Sequence, residues 1–171
     1  MKIGFIGLGN MAKAMIGGIR KQGIVSAEEI IGSAKTEETK SRMQKEFGIA
    51  IAGDNRQAAE WAEVLVLAVK PVFFSEVIGE IKDIVGKDKL VISIAAGKTT
   101  EWIEREFGRE IRLIRCMPNT PALVGAGCTA VCGNAAAAKA DEELCVKLMS
   151  SFGKAIVIPE RLMDAAGAVG G

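Results

Sequence analysis

A glycine-rich turn near the start of the chain is the segment best suited to hold a charged ligand. Gly7, Gly9 and Ala12 are spaced G-x-G-x-x-A and follow a strand-like run at Lys2–Ile6. At such a strand-to-helix turn, small residues permit a tight bend and let the backbone approach a phosphate, while the helix N-terminus favours an anion. Glycine-rich turns also occur without a ligand. We predict that a dinucleotide pyrophosphate binds here. The predicted pyrophosphate site consists of Ile6, Gly7, Leu8, Gly9, Asn10 and Met11.

The end of the second predicted strand indicates which dinucleotide the chain prefers. NAD-binding domains usually place Asp or Glu about 20 residues after the glycine turn, where the carboxylate bonds the ribose 2′-hydroxyl. Here residues 31–36 contain no acid, and the first one is Glu37. The hydroxyl of Ser33 and the cation of Lys35 suit a 2′-phosphate, although a solvated polar loop could have the same sequence. We therefore predict NADP (as NADPH) rather than NAD as the cofactor.

The carboxyl end of another apolar run is a second expected contact region. Residues 64–69 are continuously apolar, and ligands of open α/β sheets bind beyond the carboxyl ends of the strands. Lys70 is the first charge after this run, and Pro71 fixes the turn that follows. A lysine that simply reaches solvent at the end of a strand is the alternative. We expect the segment to border the bound nucleotide.

The overall composition excludes several classes of function. Lys and Arg number 22 and Asp and Glu 21, well mixed along 171 residues, so neither nucleic acid nor a membrane surface is predicted as a partner. No apolar run is long enough for a membrane span, and the N-terminus lacks the pattern of a signal peptide, so we expect a cytoplasmic protein. The chain has four cysteines and no histidine, and we predict buried cysteines and no metal site.

Strand-like and helix-like patterns alternate from end to end, which is typical of a mostly parallel sheet covered by helices on both faces. Polar caps are expected at Asn10 and Thr36. The predicted strands are 2–6, 29–32, 48–52, 64–69, 90–94, 111–116, 129–133 and 155–158. The predicted helices are 11–21, 36–46, 55–62, 73–84, 100–106 and 140–152. Residues 159–171 begin like a further helix and end among glycines, so the chain reads as cut within a new element.

Four segments together carry a resemblance to a known enzyme family. They are the glycine turn, the Lys70 segment, Ser93–Gly97, and Arg115–Gly125, which contains M-P-N-T-P. In this order along the whole chain they resemble pyrroline-5-carboxylate reductase, the last enzyme of proline biosynthesis. The resemblance implies a Rossmann-type doubly wound α/β domain at residues 1–158. Residues 159–171 would start a helical substrate-binding and dimerisation domain whose remainder is missing. The full-length protein is then expected to be a homo-oligomer through that domain.

The resemblance also implies further cofactor contacts. Asn55 matches a family asparagine that contacts the nucleotide, while Asn119 would lie beside the nicotinamide or serve only as a turn residue between two prolines. The other residues that the resemblance implies at the cofactor are Ala68, Val69, Lys70, Pro71, Ala95, Ala96 and Gly97.

The implied reaction is hydride transfer from NADPH to the C=N carbon of 1-pyrroline-5-carboxylate, which gives L-proline. An imine is readily protonated, so a dedicated protein acid is unnecessary or lies in the missing half. Lys70 is the single candidate for a supporting catalytic role. Two alternatives stay open: a dehydrogenase of the 3-hydroxyisobutyrate type, and a nucleotide-sensing module without turnover. We expect this chain by itself to bind the cofactor without efficient catalysis.

Overall fold

A twisted sheet forms the centre of the computed structural model, which describes residues 1–170. Within that range its strands are β1 (Ile3–Ile6), β2 (Ile30–Ser33), β3 (Ala50–Ile51), β4 (Val64–Leu67), β5 (Leu90–Ser93), β6 (Arg112–Met117), β7 (Gly127–Gly133) and β8 (Gly153–Val157). Their order is β3-β2-β1-β4-β5-β6-β7-β8, with every described neighbouring pair parallel except β6 and β7. The predicted mostly parallel sheet is confirmed. Chain order reverses between β1 and β4, the position at which ligands bind in such sheets.

Helices cover both faces because consecutive strand residues point in opposite directions. Phe5 faces a core that includes Met15 and Ile16, whereas Ile6 faces a core that includes Phe74 and Ile78. Strands buried on both faces must be apolar throughout, as the run at β4 is. The helices are α1 (Asn10–Lys21), α2 (Glu37–Phe47), α3 (Asn55–Trp61), α4 (Phe74–Ile81), α5 (Thr100–Phe107), α6 (Lys139–Met149) and α7 (Met163–Gly170).

Most predicted elements are confirmed to within a few residues, and the main differences lie at their ends. The predicted helix 73–84 is a 3₁₀ turn at Pro71–Phe73 followed by α4, and the predicted helix 140–152 ends as a 3₁₀ turn at Ser150–Phe152. Thr36 is confirmed as a cap, since its hydroxyl accepts from the Thr39 N–H. The prediction for Asn10 was wrong. Asn10 is the first helical residue, because the Gly9 carbonyl already accepts the first helical bond, from Lys13.

The cysteine prediction was correct at three positions and wrong at one. Cys116, Cys132 and Cys145 are buried, whereas Cys128 is exposed at the start of β7. The sulfur atoms of Cys116 and Cys145 lie 3.3 Å apart, and burial raises the pKa of the Cys116 thiol. Residues 1–170 contain no cluster of three potential metal ligands among His, Cys, Asp and Glu. In the same range, no helix has the length and apolar character required to cross a membrane.

The segment after β8 packs on the sheet through one buried cation. Arg115, on β6, is 1% exposed, and its guanidinium donates to Glu160 at 3.3 Å and to Asp164 at 2.7 Å. Glu160 also accepts hydrogen bonds from the backbone N–H and the hydroxyl of Thr100. We call Thr100, Arg115, Glu160 and Asp164 the C-terminal clamp. Gly171, the last residue of the segment that we expect to start a second domain, lies outside the described residues.

Candidate cofactor site

The glycine turn packs tightly against neighbouring backbone at Gly7 and has open space beside Gly9. Gly7 has a φ of +93°, its N–H donates to the Ser33 carbonyl at 3.0 Å, and an added Cβ would lie 2.9 Å from the carbonyl of Ala68. These contacts hold the turn between β2 and β4. At Gly9 an added Cβ would meet no described atom within 4 Å. A ligand can therefore approach the backbone at Gly9 directly.

The N-terminus of α1 beside Gly9 is chemically ready for an anion. Its first N–H groups have no helical acceptor, and among the described residues no side chain caps this end. No acidic residue occurs in its first turn, where one would repel an anion. The helix dipole adds partial positive charge at the same point. The local geometry is thus suited to an anion, and pyrophosphate binding at this turn stays a prediction.

Two side chains of the predicted pyrophosphate set point into the protein. Ile6 and Leu8 are 0% and 1% exposed. Leu8 packs under β2 so closely that a Cβ on Gly32 would lie 2.6 Å from its Cδ2. Only the backbone of these two residues can reach a ligand, and a Cβ at Gly32 would require the Leu8 side chain to shift.

A cavity of about 230 Å³ continues from this turn along the carboxyl ends of β1, β2 and β4. We call it the nucleotide cavity. Eight residues of the predicted site line it: Gly7, Gly9, Ser33, Lys35, Asn55, Ala68, Val69 and Lys70. Sequence reasoning missed Ala34, Phe73, Glu76, Val77 and Glu80, which line it too. The one signal for the α4 residues Glu76, Val77 and Glu80 is their helical spacing, which places them on one face of the helix that follows the predicted contact segment.

Polar contacts inside the nucleotide cavity join β2, α3 and α4. The Ser33 hydroxyl lies 2.7 Å from Oδ1 of Asn55, and the Asn55 amide donates to Glu80 at 2.6 Å. Lys35 lies over the Phe73 ring, with its Nζ 4.1 Å from the ring centre, so the aromatic face holds the ammonium group at the rim. Lys70 is exposed at the start of the turn Pro71–Phe73.

A second cavity, of about 830 Å³, lies at the carboxyl ends of β5 and β6 next to α7. Met11, Ala96, Gly97 and Asn119 of the predicted site line it. Asn119 has a structural contact as well, because its side-chain oxygen accepts from the Cys128 N–H at 2.8 Å and it precedes the 3₁₀ turn Thr120–Val124. The structure therefore divides the predicted cofactor residues between two neighbouring cavities.

The remaining predicted residues line neither cavity. Ala95 is 2% exposed, and the hydroxyl of the buried Ser93 accepts from its N–H. Pro71 begins the turn that carries Phe73 into the nucleotide cavity. Asn10 is exposed at the start of α1. The site that we predict for these three residues therefore has no support from the lining of either cavity.

Comparisons with known proteins place the chain in a family. Residues 2–97 match the family described as NADP oxidoreductase, coenzyme F420-dependent. The chain is 39% identical over 170 residues to the pyrroline-5-carboxylate reductase of Escherichia coli and 36% identical to that of Methanosarcina acetivorans, covering 99% of this chain and 63% of each relative. This chain thus spans somewhat less than two thirds of the length of these curated relatives.

Solved structures agree with the sequence matches. A pyrroline-5-carboxylate reductase from Coxiella burnetii superimposes with a TM-score of 0.95 at 36% identity, covering 99% of this chain and 63% of that one. The Plasmodium falciparum pyrroline carboxylate reductase, solved with NADP bound, gives a TM-score of 0.87 at 31% identity, covering 99% and 62%. The chain belongs to the family described as NADP oxidoreductase, coenzyme F420-dependent, and over its length it is similar to the N-terminal part of pyrroline-5-carboxylate reductases.

Proposed function

We propose that this chain binds NADPH and is the cofactor-binding part of an enzyme that reduces 1-pyrroline-5-carboxylate to L-proline. The observation that carries the proposal is the uncapped N-terminus of α1, open at Gly9 and continuous with a cavity that Lys35 borders. The names of the relatives and the NADP in the Plasmodium falciparum structure support the same assignment.

Each part of the site has a distinct proposed task. The N–H groups at the start of α1 bind the pyrophosphate, and the absence of a side chain at Gly9 lets it approach. Lys35 faces the 2′-phosphate as a cation, and Ala68–Pro71 border the adenosine side. Ala96, Gly97 and Asn119 line the second cavity, and together with the neighbouring Ala95 they are assigned to the nicotinamide end.

The chemistry of the substrate limits what the protein has to supply. When bound, the reduced nicotinamide provides the hydride for the C=N bond. Lys70 lines the nucleotide cavity, so we infer that it positions the cofactor rather than donating a proton to the imine. The relatives extend beyond the length of this chain, and we assign substrate binding and self-association to the additional part.

A titration of the 171-residue chain with NADPH and then NADH tests the cofactor proposal. We expect saturable binding of NADPH, followed by nucleotide fluorescence, and weaker binding in a Lys35→Ala variant. Lys87→Ala, which removes an exposed lysine that precedes β5 and lines neither cavity, is the matched control and should bind like wild type. Absence of NADPH binding, or an equal loss in both variants, would overturn the assignment of this site.

An activity measurement tests the proposed reaction separately. We expect NADPH oxidation that depends on 1-pyrroline-5-carboxylate to be slow with this chain and efficient with a protein of the relatives' length that contains it. Turnover of small hydroxyacids, without turnover of pyrroline carboxylate, would contradict the proposal in favour of a dehydrogenase. Cofactor binding without any turnover in the longer protein would indicate a nucleotide-binding module.

A further inference from the structure

One wall of the nucleotide cavity contains a line of three hydrogen-bonded side chains, which runs from the buried Ser33 to the exposed Glu80. Ser33 is 3% exposed at the end of β2, Asn55 begins α3, and Glu80 lies on α4. The Ser33 Oγ is 2.7 Å from Asn55 Oδ1, and Asn55 Nδ2 is 2.6 Å from a carboxylate oxygen of Glu80. All three residues line the same cavity.

The carboxylate at the end of this line fixes the direction of both hydrogen bonds. An ionised Glu80 can only accept, so the Asn55 NH₂ group has to face it. The Asn55 oxygen then faces Ser33, and the Ser33 hydroxyl has to donate its single hydrogen to that oxygen. Ser33 is left with oxygen lone pairs for a ligand. In this arrangement it accepts from a hydroxyl but cannot donate to a phosphate, contrary to the role predicted for Ser33 from the sequence.

The charges that line the nucleotide cavity also give a 2′-phosphate little net attraction. Lys35 and Lys70 are the cations among the described lining residues, and Glu76 and Glu80 are the anions, so the wall carries no formal net charge. Lys35 lies over Phe73, while Glu80 is exposed and bonds the Asn55 amide. A ribose 2′-phosphate would gain one nearby cation and meet one nearby carboxylate.

We propose that Glu80 is a specificity-determining residue for the cofactor. Through Asn55 it makes Ser33 an acceptor, and its own charge opposes a 2′-phosphate, so it reduces the preference for NADPH over NADH that Lys35 creates. The inference rests on the proposed function, since it concerns the nucleotide that the cavity binds. The sequence pattern placed the choice between NADPH and NADH only at the end of β2. This inference extends that role to a residue of α4.

The test compares two isosteric variants on the same helix, Glu80→Gln and Glu76→Gln. Both remove one negative charge from the cavity wall, but only Glu80 bonds Asn55 among the described contacts. The measured quantity is the ratio of the NADH dissociation constant to the NADPH dissociation constant, by fluorescence titration of the full chain. We expect Glu80→Gln to raise this ratio about three- to tenfold, and Glu76→Gln no more than about twofold, since the latter acts through a solvent-screened charge alone.

A nuclear magnetic resonance spectrum without nucleotide checks the hydrogen-bond line itself. The side-chain NH₂ signals of Asn55, assigned by their loss in Asn55→Ala, should shift in Glu80→Gln and stay in place in Glu76→Gln. An unshifted signal in Glu80→Gln would overturn the proposal at its geometric step.

The outcomes separate this inference from the proposed function. Wild-type chain that binds neither nucleotide overturns both. Wild-type chain that binds NADPH, with an unchanged or lower ratio in Glu80→Gln, overturns the role of Glu80 alone. An equal rise in both variants also overturns it, because charge without the Asn55 contact would then explain the effect.

Discussion

The glycine turn at residues 6–12 and the C-terminal clamp lie at the same edge of the sheet but are built in opposite ways. At the turn, the absence of side chains at Gly7 and Gly9 leaves backbone groups accessible to a ligand. At the clamp, the long cationic side chain of Arg115 is buried. Its charge is compensated by the carboxylates of Glu160 and Asp164, which lie 45 and 49 residues later in the chain. One site is local in sequence, and the other exists only when β6 and the last helix meet.

The comparison shows that an exposed group can keep its charge free for a ligand, whereas a buried charge needs partners within the fold. The turn offers partial charges of backbone N–H groups to solvent, at little cost to the fold. The clamp keeps a guanidinium at 1% exposure, which is costly unless its partners remain in place. Its Nε has no hydrogen-bond partner within residues 1–170, so the two carboxylates provide the compensation that the described structure contains. A change at the turn should thus affect binding, and a change at the clamp should affect stability.

The largest expected effect is a loss of stability caused by a change in the turn itself, at Gly7, and not only a loss of binding. Gly7→Ala places a Cβ 2.9 Å from the Ala68 backbone at a φ of +93°, and we expect it to lower the free energy of unfolding by about 2–4 kcal/mol. Gly9→Ala is the matched variant, because its Cβ meets open space, and it should unfold within about 0.5 kcal/mol of wild type while binding NADPH more weakly. Urea denaturation measures both. Equal destabilisation would show that the turn is uniformly packed.

A smaller loss of stability is expected at the clamp. Glu160→Gln weakens charge-assisted bonds to Arg115 and to two groups of Thr100, and should cost about 2 kcal/mol by urea denaturation. Asp164→Asn is the control, because the Asp164 side chain is 75% exposed and its ion pair is screened by water, so the cost should stay below about 1 kcal/mol. A larger loss for Asp164→Asn would place the main support of Arg115 on α7.

The smallest expected effect is a pH dependence of the stability, which tests whether Glu160 supports the clamp through its charge. Burial acts to raise the pKa of Glu160, but hydrogen bonds from Thr100 and the Arg115 charge outweigh it and bring the pKa below its ordinary value of 4.5. A carboxylate whose pKa is lowered by folding stabilises the protein above its unfolded pKa, and the contribution is lost as pH falls through the folded pKa. The stability difference between wild type and Glu160→Gln should therefore be constant near neutral pH and shrink below pH 4.5.

Asp141 also has a lowered pKa, because of its hydrogen bond with Arg112. It is present in both proteins, so its contribution cancels in the difference between wild type and Glu160→Gln. A difference that does not change with pH would mean that the clamp acts by packing rather than by charge.

Much of the fold could be predicted from the sequence because its patterns are local. The continuous apolar run at 64–69 and the amphipathic spacing in α1 indicate a doubly buried strand and a covering helix. One failure was tertiary, since Cys128 follows the apolar pattern of β7 yet is exposed. The other was a local shift of a single residue. Asn10 is a good capping residue in general, but Gly9 takes that position because its carbonyl already starts the helix.

The sequence by itself determined the order of strands and helices, the glycine turn that brings backbone N–H groups to the edge of the sheet, and the presence of Lys35 after β2. These depend on residues near one another in the chain. Only the tertiary structure decided that Glu80 reaches Asn55, that Ser33 therefore donates inward, and that Arg115 is neutralised by Glu160 and Asp164. The direction of a hydrogen bond and the compensation of a buried charge depend on which distant groups the fold brings within about 3 Å, and no local pattern encodes that distance.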